Sequence, residues 1–199
     1  MAGSSCQSLN NMKFPGRSSE PRAGREPSPE SGGFEIVELK PENWSELKAL
    51  RSEAVKDSPR AFGQTPEEVR AMGESEWKKL FETGKYFVVK EGGKVVGMVC
   101  VVRNKGEKAS HVANVYGLYV APGSRGRGLG RALVERALED LRDDSTYKVK
   151  LAVDSKNTGA IQLYENLGFV KCGERHAELN VDGDFVNETE MELMLQPLN

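Results

Sequence analysis

The stretch His111 to Leu141, HVANVYGLYVAPGSRGRGLGRALVERALEDL, limits the fold more than any other part of the chain. A β-branched and aromatic run ends at Ala121-Pro122-Gly123, and Arg125 to Arg131 then hold three glycines and three arginines in seven positions. Leu129, Leu133, Val134, Ala137, Leu138 and Leu141 follow at helical spacing. This order predicts a strand, a glycine-rich turn and a helix that begins at the turn. At such a helix start, successive backbone N–H groups lack intrahelical acceptors, and the helix dipole adds about half a positive charge. Glycine allows close approach of a ligand and takes positive φ without strain. Arginine in a first helical turn opposes the dipole unless an anion is bound, so the composition favours an anion site over a bland connection.

Three other readings of the loop fail on spacing or context. A phosphate loop of the GxxxxGK[ST] type fits Gly123 and Gly128, but Leu129 stands where lysine is required. In a dinucleotide GxGxxG fingerprint the third glycine falls on Arg131 or on Leu133, depending on where it starts. An RNA-binding RGG tract belongs in disordered polar sequence, whereas this loop joins a strand to an amphipathic helix.

The remaining chain supplies a single α/β domain behind a tail. Residues 1–33 hold seven serines, five glycines and four prolines with Phe14 as the one aromatic residue, too little apolar surface to offset the entropy of ordering. We expect a disordered tail there, without the apolar core of a secretory signal, and a folded domain over residues 34–199. FEIVEL opens that domain as a strand, followed by a helix from Trp44 that Asn43 could cap and Ser58-Pro59 ends. Thr65, Pro66 and Glu68 form the signature of a second helix, running to Glu82 with a break near Gly73. YFVVK and KVVGMVCVVR form a hairpin through Gly92-Gly93, and KVKLAVD, FVKCGER and TEMELML are further strands around the short helix NTGAIQLYENLG. The element order predicts an α/β fold with a sheet of mixed direction.

Composition narrows the partners. The net charge is −2 among 199 residues with charge of either sign dispersed, so no broad basic surface for nucleic acid or anionic lipid is expected. The longest apolar run, Val95 to Val102, is far short of the ~20 residues that span a bilayer. Cys6, Cys100 and Cys172 form no CxxC pair, and His111 and His176 have no metal-ligand spacing, so neither a disulfide framework nor a metal site is expected. A reducing, cytoplasmic setting follows, with a small-molecule or protein partner and a homodimer as the default assembly.

Arg125-Gly126-Arg127-Gly128-Leu129-Gly130 resembles the [QR]-x-x-G-x-[GA] cofactor motif of the GNAT superfamily of acyl-CoA N-acyltransferases. NTGAIQLYENLGF, Asn157 to Phe169, is similar to the second motif of that superfamily, about thirty residues on and separated from the first by one strand. LYVAPGSRGRGLG and the order of elements from Phe34 to Leu195 match as well. The resemblance implies a twisted, mostly antiparallel sheet with a splayed parallel strand pair, an acetyl-CoA co-substrate, and acetyl transfer to a primary amine by direct attack. It also implies that Leu118, Tyr119 and Val120 hydrogen-bond the pantetheine arm and that Arg125, Gly126, Arg127, Gly128, Gly130 and Arg131 take the pyrophosphate.

Tyr164 matches the family tyrosine that protonates the departing thiolate, although its spacing with Ile161 and Gly168 also suits a core aromatic. Asn157 stands where the family contacts the cofactor and is equally a good helix N-cap. Many relatives carry an acid or histidine where this chain has Asn114 and Tyr116, and neither of these is a base at neutral pH. Asp154, a water relay or an acceptor of low pKa remain open as the base. Cys100, in an apolar run, reads as an inert small hydrophobe rather than a covalent nucleophile.

The acceptor pocket of the fold maps to Trp44–Glu82 and to the last hairpin around Asn180–Glu188. There DSPRAFGQTPEEV, residues 57–69, resembles uncharacterised small-molecule members of the family. A small amine is therefore expected ahead of a protein tail, with Glu67, Glu68, Asp182, Asp184 and Glu188 as acids that could attract it. The missing strand base feeds an alternative reading, a non-catalytic acyl-CoA sensor of the same fold.

Overall fold

The computed structural model describes residues 33–142 and 145–196, so the tail expected over residues 1–33 lies, but for Gly33, outside the described residues. Seven strands form one sheet: β1 (Phe34–Leu39), β2 (Lys85–Glu91), β3 (Lys94–Arg103), β4 (Val112–Val120), β5 (Lys148–Asp154), β6 (Val170–Val181) and β7 (Asp184–Met194). Their spatial order is β1-β2-β3-β4-β5-β7-β6, and every neighbouring pair is antiparallel except β4 with β5. The fold is thus mixed α/β, with a mostly antiparallel sheet and one parallel pair.

Helices cover both faces. α1 (Trp44–Asp57), α2 (Pro66–Ala71) and α3 (Glu74–Thr83) pack on one side around Leu47, Leu50, Val55, Val69, Trp77, Val88 and Met98. α4 (Leu129–Leu141) and α5 (Thr158–Glu165) pack on the other around Phe87, Val99, Val115, Leu133, Leu138, Val149 and Met191. The six apolar residues that the spacing assigned to α4 are all buried, so helical period and core face agree. Alternation along β2 does the equivalent work, sending Phe87 and Val89 to the α4 side and Val88 to the α1 side.

Local signals set most element ends. Thr65 and Glu68 form the full reciprocal capping box of α2, and Met72-Gly73 separate α2 from α3 near the expected break. Gly92 and Gly93 both take positive φ in the β2–β3 turn, and Asp182 and Gly183 do the same between β6 and β7, as type I′ hairpins require. Two boundaries differ from the sequence reading. Asn43 makes no side-chain bond to the start of α1, because its amide donates to Glu46 Oε1 at 3.0 Å instead. The last hairpin is longer than FVKCGER and TEMELML, since cross-strand pairing carries its polar residues up to the Asp182-Gly183 turn despite weak strand propensity.

Candidate active site

β4 and β5 pair only at Val112–Asn114 with Lys148–Lys150 and then part. Each keeps its other neighbour, β4 pairing with β3 up to Val120 and β5 with β7 up to Asp154, so the sheet opens between them. A bulge accompanies the parting. Cys100 faces Tyr116 while Met98 faces Tyr119, which leaves two residues of β4 opposite Val99, and Gly117 takes φ +61 there. The extra residue reverses the alternation: Ala113 and Val115 lie in the α4-side core, whereas Tyr119 turns into the α1-side core.

The main chain of β4 beyond the bulge is divided between its two sides. Ala121 N–H donates to Val96 O at 2.8 Å, while the Val120 carbonyl accepts from Arg125 Nε at 2.8 Å. By alternation, Leu118 and Val120 turn their polar groups to the open side and Tyr119 turns its own toward β3. Tyr119 therefore departs from the expectation of three equivalent backbone partners. Its hydroxyl donates to Glu53 at 3.3 Å, and burial, reinforced by nearby Glu53 and Asp57, pushes its pKa up to about 12.

The loop after β4 is an array of free donors. Ser124 N–H and Arg125 N–H close turns onto Ala121 and Pro122, and the first backbone bond of α4 is from Ala132 to Gly128. Between them, the N–H groups of Gly126 to Arg131 have no acceptor among the described residues. Gly126 and Gly128 take φ +75 and +77, and a Cβ at either would meet nothing within 4 Å, so the space over the loop is open. Arg125 thus differs from expectation, because its own N–H is spent inside the turn.

The three arginine side chains are also engaged. Arg125 pairs with Asp57 and lies 5.6 Å over the Tyr119 ring, Arg127 pairs with Glu91, and Arg131 pairs with Glu135 at 2.9 Å. Ser124 Oγ donates to the same Glu91 at 2.9 Å. The turn thus combines backbone donors that have no acceptor among the described residues with guanidinium groups that are ion-paired yet about half exposed.

Below the loop, the parting strands and α5 enclose a cleft of about 370 Å³. Tyr164 and Asn157 both line it. Tyr164 stacks edge-on against Phe169 at 5.7 Å, and burial holds its hydroxyl well above the usual tyrosine range, so it stays protonated at neutral pH. Core packing and cleft lining are therefore compatible at this position. Asn157 caps α5, its Oδ1 accepting from Ala160 N–H at 3.1 Å.

Side chains distant in sequence form the far wall. Asp154 is held by Arg60 through contacts of 2.7 and 3.2 Å; burial alone would raise its pKa, but Arg60 and the Lys156 N–H outweigh that and lower it. An ion-paired carboxylate of lowered pKa is a weaker base than a free one, which counts against Asp154 as the fallback. Glu188, directly opposite Asp154 on β7, behaves differently. Arg175 lies 2.7 Å from Glu190 but 3.6 Å from Glu188, and it also meets Glu178 at 3.4 Å. Burial first, and then the carboxylates of Glu178, Asp154 and Glu190, raise the Glu188 pKa against the opposing pull of Arg175. In the sequence Glu188 is one acid among several; its place opposite Asp154 depends on the β5–β7 register.

Of the other acids, Glu68 caps α2, Glu67 pairs with Arg70, Asp184 pairs with Arg60, and Asp182 sits at positive φ in the β6–β7 turn. Asn114 bonds Asn104 and Tyr116 is 52% exposed, so β4 offers no base. Cys100 is buried with its thiol pushed up to about 11, chiefly by burial, and is inert at neutral pH. His111 and His176 are exposed. Among the described residues no side-chain cluster could hold a metal ion, and no helix is long and apolar enough to cross a membrane.

Comparison with known proteins agrees with this geometry. Residues 47–169 match the family model described as the acetyltransferase (GNAT) family. A mycothiol acetyltransferase from Thermobispora bispora is 35% identical over 125 residues, 62% of this chain and 41% of the relative. The corresponding protein of Beutenbergia cavernae is 33% identical over 133 residues, 67% of this chain and 43% of the relative. The chain thus spans about two fifths of the length of these curated relatives. A GNAT-family acetyltransferase from Streptococcus pneumoniae superposes with a TM-score of 0.73 at 19% identity, over 81% of this chain and 99% of that one. A spermidine N-acetyltransferase from Vibrio cholerae, solved with CoA and spermine, superposes with a TM-score of 0.66 at 21% identity, over 83% and 97%. Sheet, loop and sequence match converge, and the chain belongs to the GNAT family of acetyltransferases.

Proposed function

We propose that this chain is an acetyl-CoA-dependent N-acetyltransferase that acetylates the primary amine of a small molecule by direct attack in a ternary complex. One observation carries the reading: the open edge of β4 is followed, after one short turn, by six N–H groups at the head of α4 that have no acceptor among the described residues. An extended amide chain ending in a diphosphate needs that sequence of partners. Leu118 and Val120 pair with the pantetheine arm, with Tyr119 anchoring the strand between them. The N–H groups of Gly126, Arg127, Gly128, Gly130 and Arg131 take the pyrophosphate with the helix dipole behind them. Arg125 moves off the Val120 carbonyl to make room for the arm and remains beside the phosphates.

Chemistry then falls in the cleft. The neutral amine attacks the thioester carbonyl, the new C–N bond forms as the C–S bond breaks, and the amine proton passes to Glu188, a carboxylate of the cleft whose pKa burial raises. Tyr164, kept protonated by burial, donates a hydrogen bond to the departing sulfur, and Asn157 holds the start of α5 beneath it. Holding the two reactants together contributes up to ~7–11 kcal/mol to lowering the barrier. Cysteine usage fits a cytoplasmic enzyme.

The lack of a base on β4 favours one rival, an acyl-CoA sensor without turnover. Calorimetry with acetyl-CoA and thiol release in the presence of an amine panel separate the two. We expect binding together with release. Binding without release across the panel establishes the sensor, and the absence of binding at millimolar acetyl-CoA overturns both readings.

A further inference from the structure

The cleft holds three guanidinium groups, those of Arg51, Arg60 and Arg175. Arg60 is matched by Asp154 and Asp184, and Arg175 by Glu178, Glu188 and Glu190. Arg51, from the middle of α1, has no carboxylate within 4 Å among the described residues. Its Nη2 donates to the neutral Gln64 Oε1 at 3.1 Å, and its guanidinium stacks 4.3 Å over the Phe62 ring. Burial lowers its pKa, with the Tyr86 hydroxyl and Cys100 thiol as the opposing neighbours. A partly desolvated cation facing a cleft without a counter-charge is a preformed site for an anion.

Position decides which anion. A Cβ on Gly117 would come within 2.9 Å of Arg51 Nη1, so the guanidinium lies directly over the bulge of β4. That is the end of the open edge remote from the glycine loop, where the phosphates are assigned. The opposite wall carries the reverse imbalance, since Arg175 is shared by the carboxylates of Glu178, Glu188 and Glu190, with Lys150 as the one further cation lining the cleft among the described residues. One wall of the cleft has a surplus of positive charge and the other a surplus of negative charge.

We infer that the acceptor is a primary amine that also carries a carboxylate, with the carboxylate held by Arg51 above the Gly117 bulge and the amine drawn to Glu188. The inference rests on the acetyl-transfer reading and names its substrate class. The planar guanidinium offers a two-pronged grip on a carboxylate, and Phe62 and Gln64 fix its orientation before the ligand arrives. Gly117 leaves space for the guanidinium, which a side chain there would displace.

The test is thiol release from acetyl-CoA with matched acceptors: α- and ω-amino acids, their carboxamides, the corresponding carboxyl-free amines, and spermidine. The expected result is a preference in kcat/KM of about 10- to 100-fold for the carboxylate over its amide, the loss typical of one charge-assisted hydrogen bond. Arg51→Gln should collapse that ratio toward one by raising KM for the carboxylate, and Arg51→Lys should restore part of it. If Arg51 only braces Phe62 and the bulge, or only polarises the thioester, both substitutions lower the rates while leaving the ratio intact, which overturns the inference. Equal or better turnover of spermidine or the other carboxyl-free amines overturns it too and leaves acetyl transfer standing. Release from no amine at all, in a protein that binds acetyl-CoA, removes the acetyl-transfer reading and this inference with it.

Discussion

The two ends of the β4–β5 opening are built by different means. At the head of α4 the working groups are main-chain N–H donors from one continuous stretch, Gly126 to Arg131, and the neighbouring side chains are tied away on Asp57, Glu91 and Glu135. In the cleft the working groups are side chains from α1, the turn at Arg60–Phe62, α5 and β7, and their charges are set by one another. A backbone site accepts the part of a ligand that every reaction shares. A side-chain site selects the part that varies. The cofactor end should therefore respond to substitutions through binding alone, and the acceptor end through rate and choice of substrate.

Removing Glu188 tests that division most severely. Glu188→Gln is expected to lower kcat/KM for the acceptor by about 100-fold, the lower range for a general base, with little change in acetyl-CoA affinity. The pH profile supplies the sign: the active form is the ionised carboxylate, so activity rises with pH through a pKa above the ordinary glutamate value and is lost below it. In Glu188→Gln that acid limb should vanish; if the limb persists unchanged, the proton goes elsewhere. At the other end, Gly128→Val puts a β-branched residue at φ +77 over the open donors, and calorimetry should read an acetyl-CoA Kd weakened by about 30-fold, from backbone strain of ~1–3 kcal/mol and lost approach. A fall in kcat at saturating acetyl-CoA would break the separation between the two ends. The smallest effect is expected away from both. Thr65→Ala removes the capping box of α2 and should cost about 1 kcal/mol in urea unfolding without altering acceptor preference, unless the α2 start also shapes the acceptor wall.

Much of the fold was legible because its signals are local. The helical period of Leu129 to Leu141, the Gly92-Gly93 turn and the Thr65-Glu68 box each act within a few residues and appear in place. Asn43 and the last hairpin were harder, since a neighbouring glutamate took the Asn43 amide and strand pairing overrode weak propensity. Asp154 illustrates the limit within the site. Its sequence position at a strand end fits a base or a cap, and only the arrival of Arg60, far away in the chain, makes it a structural ion pair.

By itself the sequence determined the glycine turn at the head of α4 and the place of Tyr164 on α5, because both depend on spacing along a single strand–turn–helix or helix segment. Tertiary structure alone decided which carboxylate shares its arginine with two others and which arginine is left without a carboxylate. Glu188 and Arg51 come from strands and helices well over a hundred residues apart in the chain, and their charge states follow from who else is packed beside them. Electrostatics in a partly desolvated cleft is a property of the whole neighbourhood, and no local pattern of residues encodes it.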